Sequence, residues 1–241
     1  MDKSREQTPA KDPELLGLHP SERQKPPTRR SSQRDWLVPA FVAGSLIPFA
    51  SIAWRIGRGR LGANPVATAL NQVGLLALIF LVASLSCTPL KIAFTWTWPL
   101  RVRRALGLAA FFSALLHFSI YWVLDQNFAL GSVVKDVIKR PFIAVGFAAL
   151  VLLVPLALTS TKRSVSRLGF RRWQRLHQLA YVIGVLGVIH FYLRVKADHT
   201  LPISYGLVLA LGFVLRVAAN AKKNRDARLR AELRAARSAS A

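Results

Sequence analysis

Five histidines are the residues of this chain best suited to chemistry, and three of them lie in long stretches without charged residues. These three are His117, His177 and His190, whereas His19 and His199 lie in polar segments. An ionisable side chain is costly inside a membrane, so one found there is a candidate for function. For any one histidine alone, a hydrogen bond between helices is the simpler interpretation. Three together favour a shared role.

Neutral imidazoles in an apolar helical bundle are typical of a haem site. Six-coordinate haem iron takes one histidine from each of two helices, and the porphyrin fills the apolar gap between them. A zinc site would need more ligands at short spacing, such as a H-E-x-x-H pair, which the sequence lacks. The single Cys87 excludes a disulfide framework or a thiolate cluster. Asp125, Asp136 and Asp198 all lie in predicted loops, so a proton relay through carboxylates is not favoured.

Depth along the helices indicates which histidines form a pair. Counted from Ala105 at 1.5 Å per residue, His117 lies about 18 Å along its helix. Counted from Trp173, His177 lies about 6 Å and His190 about 25 Å along theirs. We therefore predict that His117 and His190 bind the iron of an outer haem. His177 is predicted to bind the iron of an inner haem, for which the sequence shows no second histidine.

The spacing of His177 and His190 raises a geometric difficulty. Thirteen residues separate them, which places them about 140° apart around an ideal helix. Gly184 and Gly187 lie between them, and we expect a twist or tilt there to bring both side chains to the bundle interior.

Arg103 is a further candidate for the cofactor site. It precedes His117 by fourteen residues, on nearly the same helix face and about 21 Å deeper. Arginine is a poor iron ligand but pairs well with carboxylates, such as haem propionates. A basic anchor at the helix end is the simpler interpretation.

The elements that position these residues follow from composition. The chain has 241 residues, 52% of them apolar, and basic clusters separate the uncharged runs. A run of about 20 apolar residues crosses a membrane as one helix. The sequence therefore predicts an all-α membrane protein, a six-helix transmembrane bundle within residues 36–221. The predicted spans are about 36–54, 68–88, 105–124, 141–161, 173–193 and 201–219.

The charge pattern predicts the orientation. The formal net charge is +23, and 26 of the 34 Lys and Arg fall in both tails and the alternate loops between them. The positive-inside rule then places both termini in the cytoplasm. Residues 1–35 are predicted to be a disordered cytoplasmic tail and not a signal peptide, and residues 222–241 a basic cytoplasmic tail. This charge is expected to set topology and to bind membrane lipids, not nucleic acid.

Several segments carry a recognisable family pattern. They are Ile138-Lys139-Arg140-Pro141-Phe142, the run from Pro155 to Thr161, the run from Arg172 to Gln178, His190, and Val195-Lys196-Ala197-Asp198. The pattern resembles the MsrQ family, haem-binding membrane subunits of the bacterial periplasmic methionine-sulfoxide reductase system and members of the ferric-reductase-like transmembrane superfamily. The resemblance extends over about residues 36–218 and implies that His117, His177 and His190 are haem ligands.

The resemblance also implies a function. The chain would be an electron-transfer subunit with one or two b-type haems in the bacterial inner membrane, and no enzyme on its own. Electrons would come from the quinone pool or a cytosolic flavin reductase. They would pass outward to a periplasmic, molybdopterin-containing partner that reduces methionine sulfoxide and so repairs oxidised proteins. FMN is implied by the resemblance only, since the sequence contains no flavin fingerprint.

Two other functions fit the sequence less well. A stand-alone ferric reductase or oxidase of the same superfamily would need an NADPH- and flavin-binding domain, for which we expect the residues after Lys222 to be too few. A small transporter or channel would need a polar or broken-helix pathway at the midplane. Apart from the histidines, spans three to five offer little of that kind.

Overall fold

The computed structural model describes residues 36–239. The predicted tail at residues 1–35, with His19, and the last two residues of the predicted basic tail lie outside the described residues. Across the described part the regular structure is helical and contains no strand, which confirms the all-α prediction. The helices are α1 Leu37–Gly57, α2 Pro65–Phe94, α3 Pro99–Ile120, α4 Leu130–Lys139, α5 Pro141–Leu158, α6 Lys162–Leu168, α7 Phe170–His177, α8 Leu179–Arg194 and α9 Thr200–Ala239.

Six helical stretches of the described chain are long and apolar enough to cross a membrane, which confirms the predicted six-helix architecture. They are Leu37–Gly57, Pro65–Phe94, Pro99–Asp125, Pro141–Leu158, Phe170–Arg194 and Thr200–Ser238. The third joins α3 to a π-helical turn, and the fifth joins α7 to α8. The placement of both termini in the cytoplasm stays a prediction.

Helix α2 forms the centre of the bundle. It packs against α3, α8 and α9, and it is apolar around its whole circumference, as expected for a helix surrounded by others. Asn64 caps its start by accepting a hydrogen bond from the Ala67 backbone N–H at 3.0 Å, and Pro65 occupies the first helical position. Helix α1 has no buried residue and lies at the periphery, chiefly against α3.

The glycines of α8 serve helix packing. Helix α8 is continuous across Gly184 and Gly187, and the regular helix is interrupted earlier, at Gln178. A Cβ atom at Gly184 would lie 2.8 Å from Cδ1 of Leu85, so α8 approaches α2 closely at this point. The interruption at Gln178 is a single residue with helical backbone angles, φ −68° and ψ −23°, so α7 and α8 form one spanning stretch with His177 in its first part. The twist or tilt expected at the two glycines stays a prediction.

The two ends of the bundle differ in the charged residues they carry. We call the end with Asp125, Arg140 and Arg194 the distal end, because these three residues line one cavity there. The opposite end is the proximal end, where Arg103 and Arg216 lie near each other.

Candidate functional site

A cavity of about 320 Å³ opens between α2, α3, α5 and α8. Most of its wall is apolar, and His117 and His190 interrupt that wall. Its volume is within the range of about 300–1,000 Å³ typical of pockets for small molecules and cofactors. The cavity therefore has the size and character of a binding site for an apolar group.

His117 on α3 and His190 on α8 lie next to each other in this cavity. Their ring centroids are 6.2 Å apart, and the ring planes are nearly perpendicular, at 85°. Both side chains are partly buried. These are the two histidines that the depth argument grouped together, and the packing of α3 and α8 around α2 brings them side by side.

A backbone carbonyl orients each of the two imidazoles. Nδ1 of His117 lies 2.9 Å from the carbonyl oxygen of Leu70, and Nδ1 of His190 lies 2.6 Å from that of Phe142. A carbonyl oxygen only accepts hydrogen bonds, so each Nδ1 carries the hydrogen and each Nε2 keeps a lone pair. Within residues 36–239, neither Nε2 atom has a hydrogen-bond partner. Metal-ligating histidines are commonly oriented in this way.

Two glycines give the rings room against the neighbouring helices. A Cβ atom at Gly74 would lie 2.8 Å from Nδ1 of His117, and one at Gly146 would lie 2.6 Å from Nδ1 of His190. Sequence analysis missed both glycines. Each follows its carbonyl residue, Leu70 or Phe142, by four positions, so the glycine and the carbonyl share one helix face.

His177 has a different environment. Its Nε2 atom lies 3.2 Å from Oγ1 of Thr159, and its ring contacts that of Trp173 with the centroids 4.2 Å apart and the planes tilted by 31°. Oγ1 of Thr159 donates its hydrogen to the carbonyl oxygen of Pro155 at 2.6 Å, so Nε2 of His177 is the donor to Thr159. His177 does not line the cavity of His117 and His190.

Arg103 also lies apart from that cavity. Its backbone carbonyl accepts a hydrogen bond from Oγ of Ser84 at 3.1 Å, and its charge acts on His177 and Arg216 at the proximal end. The structure therefore groups Arg103 with His177, and not with His117.

Two arginines at the distal end are functional candidates that sequence analysis did not select. Arg140 and Arg194 both line the cavity. Arg194 follows His190 by four residues, a spacing that places both on one helix face and that the sequence could have indicated. Arg140 precedes Phe142, whose carbonyl orients His190, by two residues.

Comparison with known proteins identifies the family. The sequence profile of the family described as ferric reductase like transmembrane component matches residues 68–188. A protein of Deinococcus radiodurans is 50% identical over 83% of this chain and 98% of its own length. Relatives from Rhodospirillum rubrum and Brucella ovis are 45% and 40% identical, over 79% and 86% of this chain and 91% and 92% of their own lengths. All three relatives are named "Protein-methionine-sulfoxide reductase heme-binding subunit MsrQ". The chain therefore belongs to the MsrQ family.

Proposed function

We propose that the chain binds a b-type haem between His117 and His190 and passes electrons to a methionine-sulfoxide reductase. The observation that carries the proposal is the pair of imidazoles at the apolar cavity, with their centroids 6.2 Å apart. Each imidazole keeps an Nε2 lone pair, so the two histidines would supply two nitrogen donors to a haem iron. The donor set and the apolar wall both fit haem.

The residues around the cavity have separate tasks in this proposal. A bound haem supplies one-electron chemistry. The carbonyls of Leu70 and Phe142 keep the hydrogens of His117 and His190 on Nδ1, so that both Nε2 lone pairs are available to the iron. The apolar wall limits access of water and lowers the local dielectric constant, which helps to set the reduction potential.

The direction of electron flow follows from the predicted orientation. The positive-inside rule assigns the distal end, where the cavity lies, to the periplasm, and both termini to the cytoplasmic face of the bacterial inner membrane. We propose that the catalytic centre belongs to a periplasmic, molybdopterin-containing partner that reduces methionine sulfoxide in oxidised proteins. The proposed donor is the quinone pool or a cytosolic flavin reductase. FMN as a second cofactor rests on the family resemblance alone.

A second haem at His177 stays a prediction. Nε2 of His177 donates to Thr159, so iron ligation by that atom requires the loss of this hydrogen bond. A ratio of one haem per chain limits the proposal to the His117–His190 cavity. A ratio of two supports the inner haem.

The test is the haem content of the purified full-length chain. We expect a reduced spectrum of the b type, which His117→Ala and His190→Ala each abolish. His199→Ala is the matched control, since it removes an imidazole outside this cavity and outside the predicted inner haem site. His177→Ala tests the inner haem separately. A well-folded but colourless preparation contradicts the proposal, as does full haem content in both cavity variants. The electron donor is identified by comparing how a quinol analogue and a flavin reductase each reduce the haem in membranes.

The match to ferric reductase like transmembrane components supports a second candidate, direct reduction of ferric iron. The two functions differ in what oxidises the reduced chain. Rapid reoxidation by a ferric chelate, with none by a methionine-sulfoxide reductase subunit, favours the second candidate.

A further inference from the structure

We propose that Arg194, with Arg140 beside it, is the anion-binding end of the cavity and holds the propionate carboxylates of the haem at the distal end. The inference rests on the proposed function. Beyond haem binding, it specifies how the haem is oriented in the cavity and which residues recognise its negative charge. It also assigns the propionate contact to residues other than Arg103, which does not line the cavity.

Arg194 is well placed for this role. It follows His190 by one helical turn, so its Cα lies about 6 Å closer to the distal end on the same face of α8. The side chain is partly buried, lines the cavity, and its charge acts on the imidazoles of both His117 and His190. Arg194 therefore shares the cavity with both histidines.

Arg194 also has no counter-ion. Within the part of the chain that the structure describes, no carboxylate or hydrogen-bond acceptor pairs with its guanidinium. A cation that is partly withdrawn from water and left unpaired lowers stability, unless an anion joins it. The planar guanidinium matches a carboxylate with two parallel hydrogen bonds, which an ammonium group does not. An anionic ligand in the cavity would satisfy this group.

Arg140 is fixed beside the cavity by a small polar network. Its Nε lies 3.3 Å from Oδ1 of Asp136. Oδ2 of Asp136 accepts hydrogen bonds from Oη of Tyr121 at 2.8 Å and from Nε2 of Gln126 at 3.3 Å. Asp136 is thus held by several partners and keeps Arg140 at the cavity wall.

The charge distribution along the cavity gives the ligand a direction. The charged residues of the wall are Asp125, Arg140 and Arg194, all at the distal end. Arg140 already pairs with Asp136, so Arg194 is the cation of this wall that is left for an anionic ligand. Asp125 accepts a hydrogen bond from Nε2 of Gln126 at 3.2 Å. The rest of the wall is apolar apart from the histidines and a few uncharged polar groups. An amphiphilic ligand therefore lies with its carboxylates at the distal end and its apolar ring deeper in the bundle.

The same arginines could bind the phosphate of a lipid headgroup, so the test varies the ligand as well as the protein. The apo form of the full-length chain, in nanodiscs of zwitterionic lipid, is titrated with haemin and with haemin dimethyl ester, whose propionates carry no charge. We expect Arg194→Gln to weaken binding of haemin by about tenfold and to change binding of the ester little. Lys196→Gln is the matched control, because it removes one positive charge at an exposed position two residues away.

The reduction potential gives a second readout. Removal of the positive charge at Arg194 favours the ferric form, so we expect Arg194→Gln to lower the midpoint potential of the haem that remains. Lys196→Gln should leave the potential unchanged.

Each outcome of the titrations is decisive. Equal weakening of haemin and its ester by Arg194→Gln overturns the inference, because it indicates a structural role. An effect seen only in nanodiscs of anionic lipid also overturns it, and assigns Arg194 to a lipid phosphate. If Arg194→Gln does not fold, the affinities of the unaltered chain for haemin and for its ester provide the test. Equal affinities contradict a carboxylate contact. Failure of the unaltered chain to bind haemin at all contradicts the proposed function instead, before any variant is compared.

Discussion

His190 donates a hydrogen bond from Nδ1 to the carbonyl oxygen of Phe142, at 2.6 Å. The same arrangement recurs at His117, which donates to Leu70 at 2.9 Å. In both cases a glycine lies four residues after the carbonyl and removes the Cβ atom that would otherwise meet the ring. Each imidazole is thus oriented by one backbone carbonyl and has space for its ring at one glycine.

Gly146→Ala is expected to displace the ring of His190. The added Cβ would lie 2.6 Å from Nδ1, closer than any real contact, so the hydrogen bond to Phe142 must lengthen or break. Overpacking of this kind costs about 1–3 kcal/mol of stability. We expect a lower haem-to-protein ratio and a lower unfolding temperature, measured on the purified protein.

Gly44→Ala is the control for that substitution. Gly44 lies in α1 with no atom within 4 Å of its added Cβ, so haem content should match the unaltered chain. The unfolding temperature should not fall, because alanine favours the helix more than glycine does. Unchanged haem content in Gly146→Ala would show that the close approach to His190 is dispensable.

Thr159→Val is expected to lower stability without affecting the haem at His117. The change removes the hydrogen bond between Oγ1 and Nε2 of His177, with a net loss of about 1 kcal/mol. Thermal unfolding and the haem spectrum measure the two effects. Ser166→Ala, at an exposed position, is the control. A change in the haem spectrum of Thr159→Val would instead favour a haem at His177.

The orientation can be tested with single cysteines. Cys87 is only 2% exposed, so the chain offers a low background for thiol labelling. We expect a membrane-impermeant thiol reagent to label Lys135→Cys on intact cells, because α4 lies at the distal end. Lys162→Cys, at the start of α6 and the opposite end, should react only after the membrane is opened. The reverse pattern would contradict the positive-inside assignment.

Asp198 is expected to make the start of α9 sensitive to acid. Its carboxylate accepts a hydrogen bond from the Thr200 backbone N–H at 2.9 Å. Hydrogen bonding by the Thr200 side chain, followed by this backbone bond, lowers the pKa of Asp198 below its ordinary value. A lowered pKa stabilises the folded state above the unfolded pKa of about 3.9, and the contribution is lost as the pH falls through the folded value. The hydrogen-exchange protection factor of the first turn of α9, which compares its rate with that of an unstructured amide at the same pH, should therefore fall as the carboxylate is protonated.

Asp198→Asn is the matched variant for this pH series. It keeps an acceptor oxygen for Thr200 but cannot titrate, so the protection factor of the first turn of α9 should no longer fall in acid. If the unaltered chain shows the same flat profile as Asp198→Asn, the carboxylate does not control this turn.

The architecture could be predicted from the sequence because spanning length and hydropathy are local properties. Six uncharged runs are long enough to cross a membrane, and they appear in the structure as six long apolar helical stretches. The three histidines stand out for the same reason, since each is an ionisable residue in an uncharged run. Even the grouping of His117 with His190 follows from the helical rise alone.

The tertiary structure decided how those histidines are held. Leu70 and His117 are 47 positions apart, and Phe142 and His190 are 48 apart, so their hydrogen bonds exist only after the helices pack. The hydrogen bond between Thr159 and His177 likewise depends on packing, because the two residues are 18 positions apart. Close packing brings together backbone carbonyls and missing side chains that no local pattern records, and these contacts determine which nitrogen atoms are left free to bind a ligand.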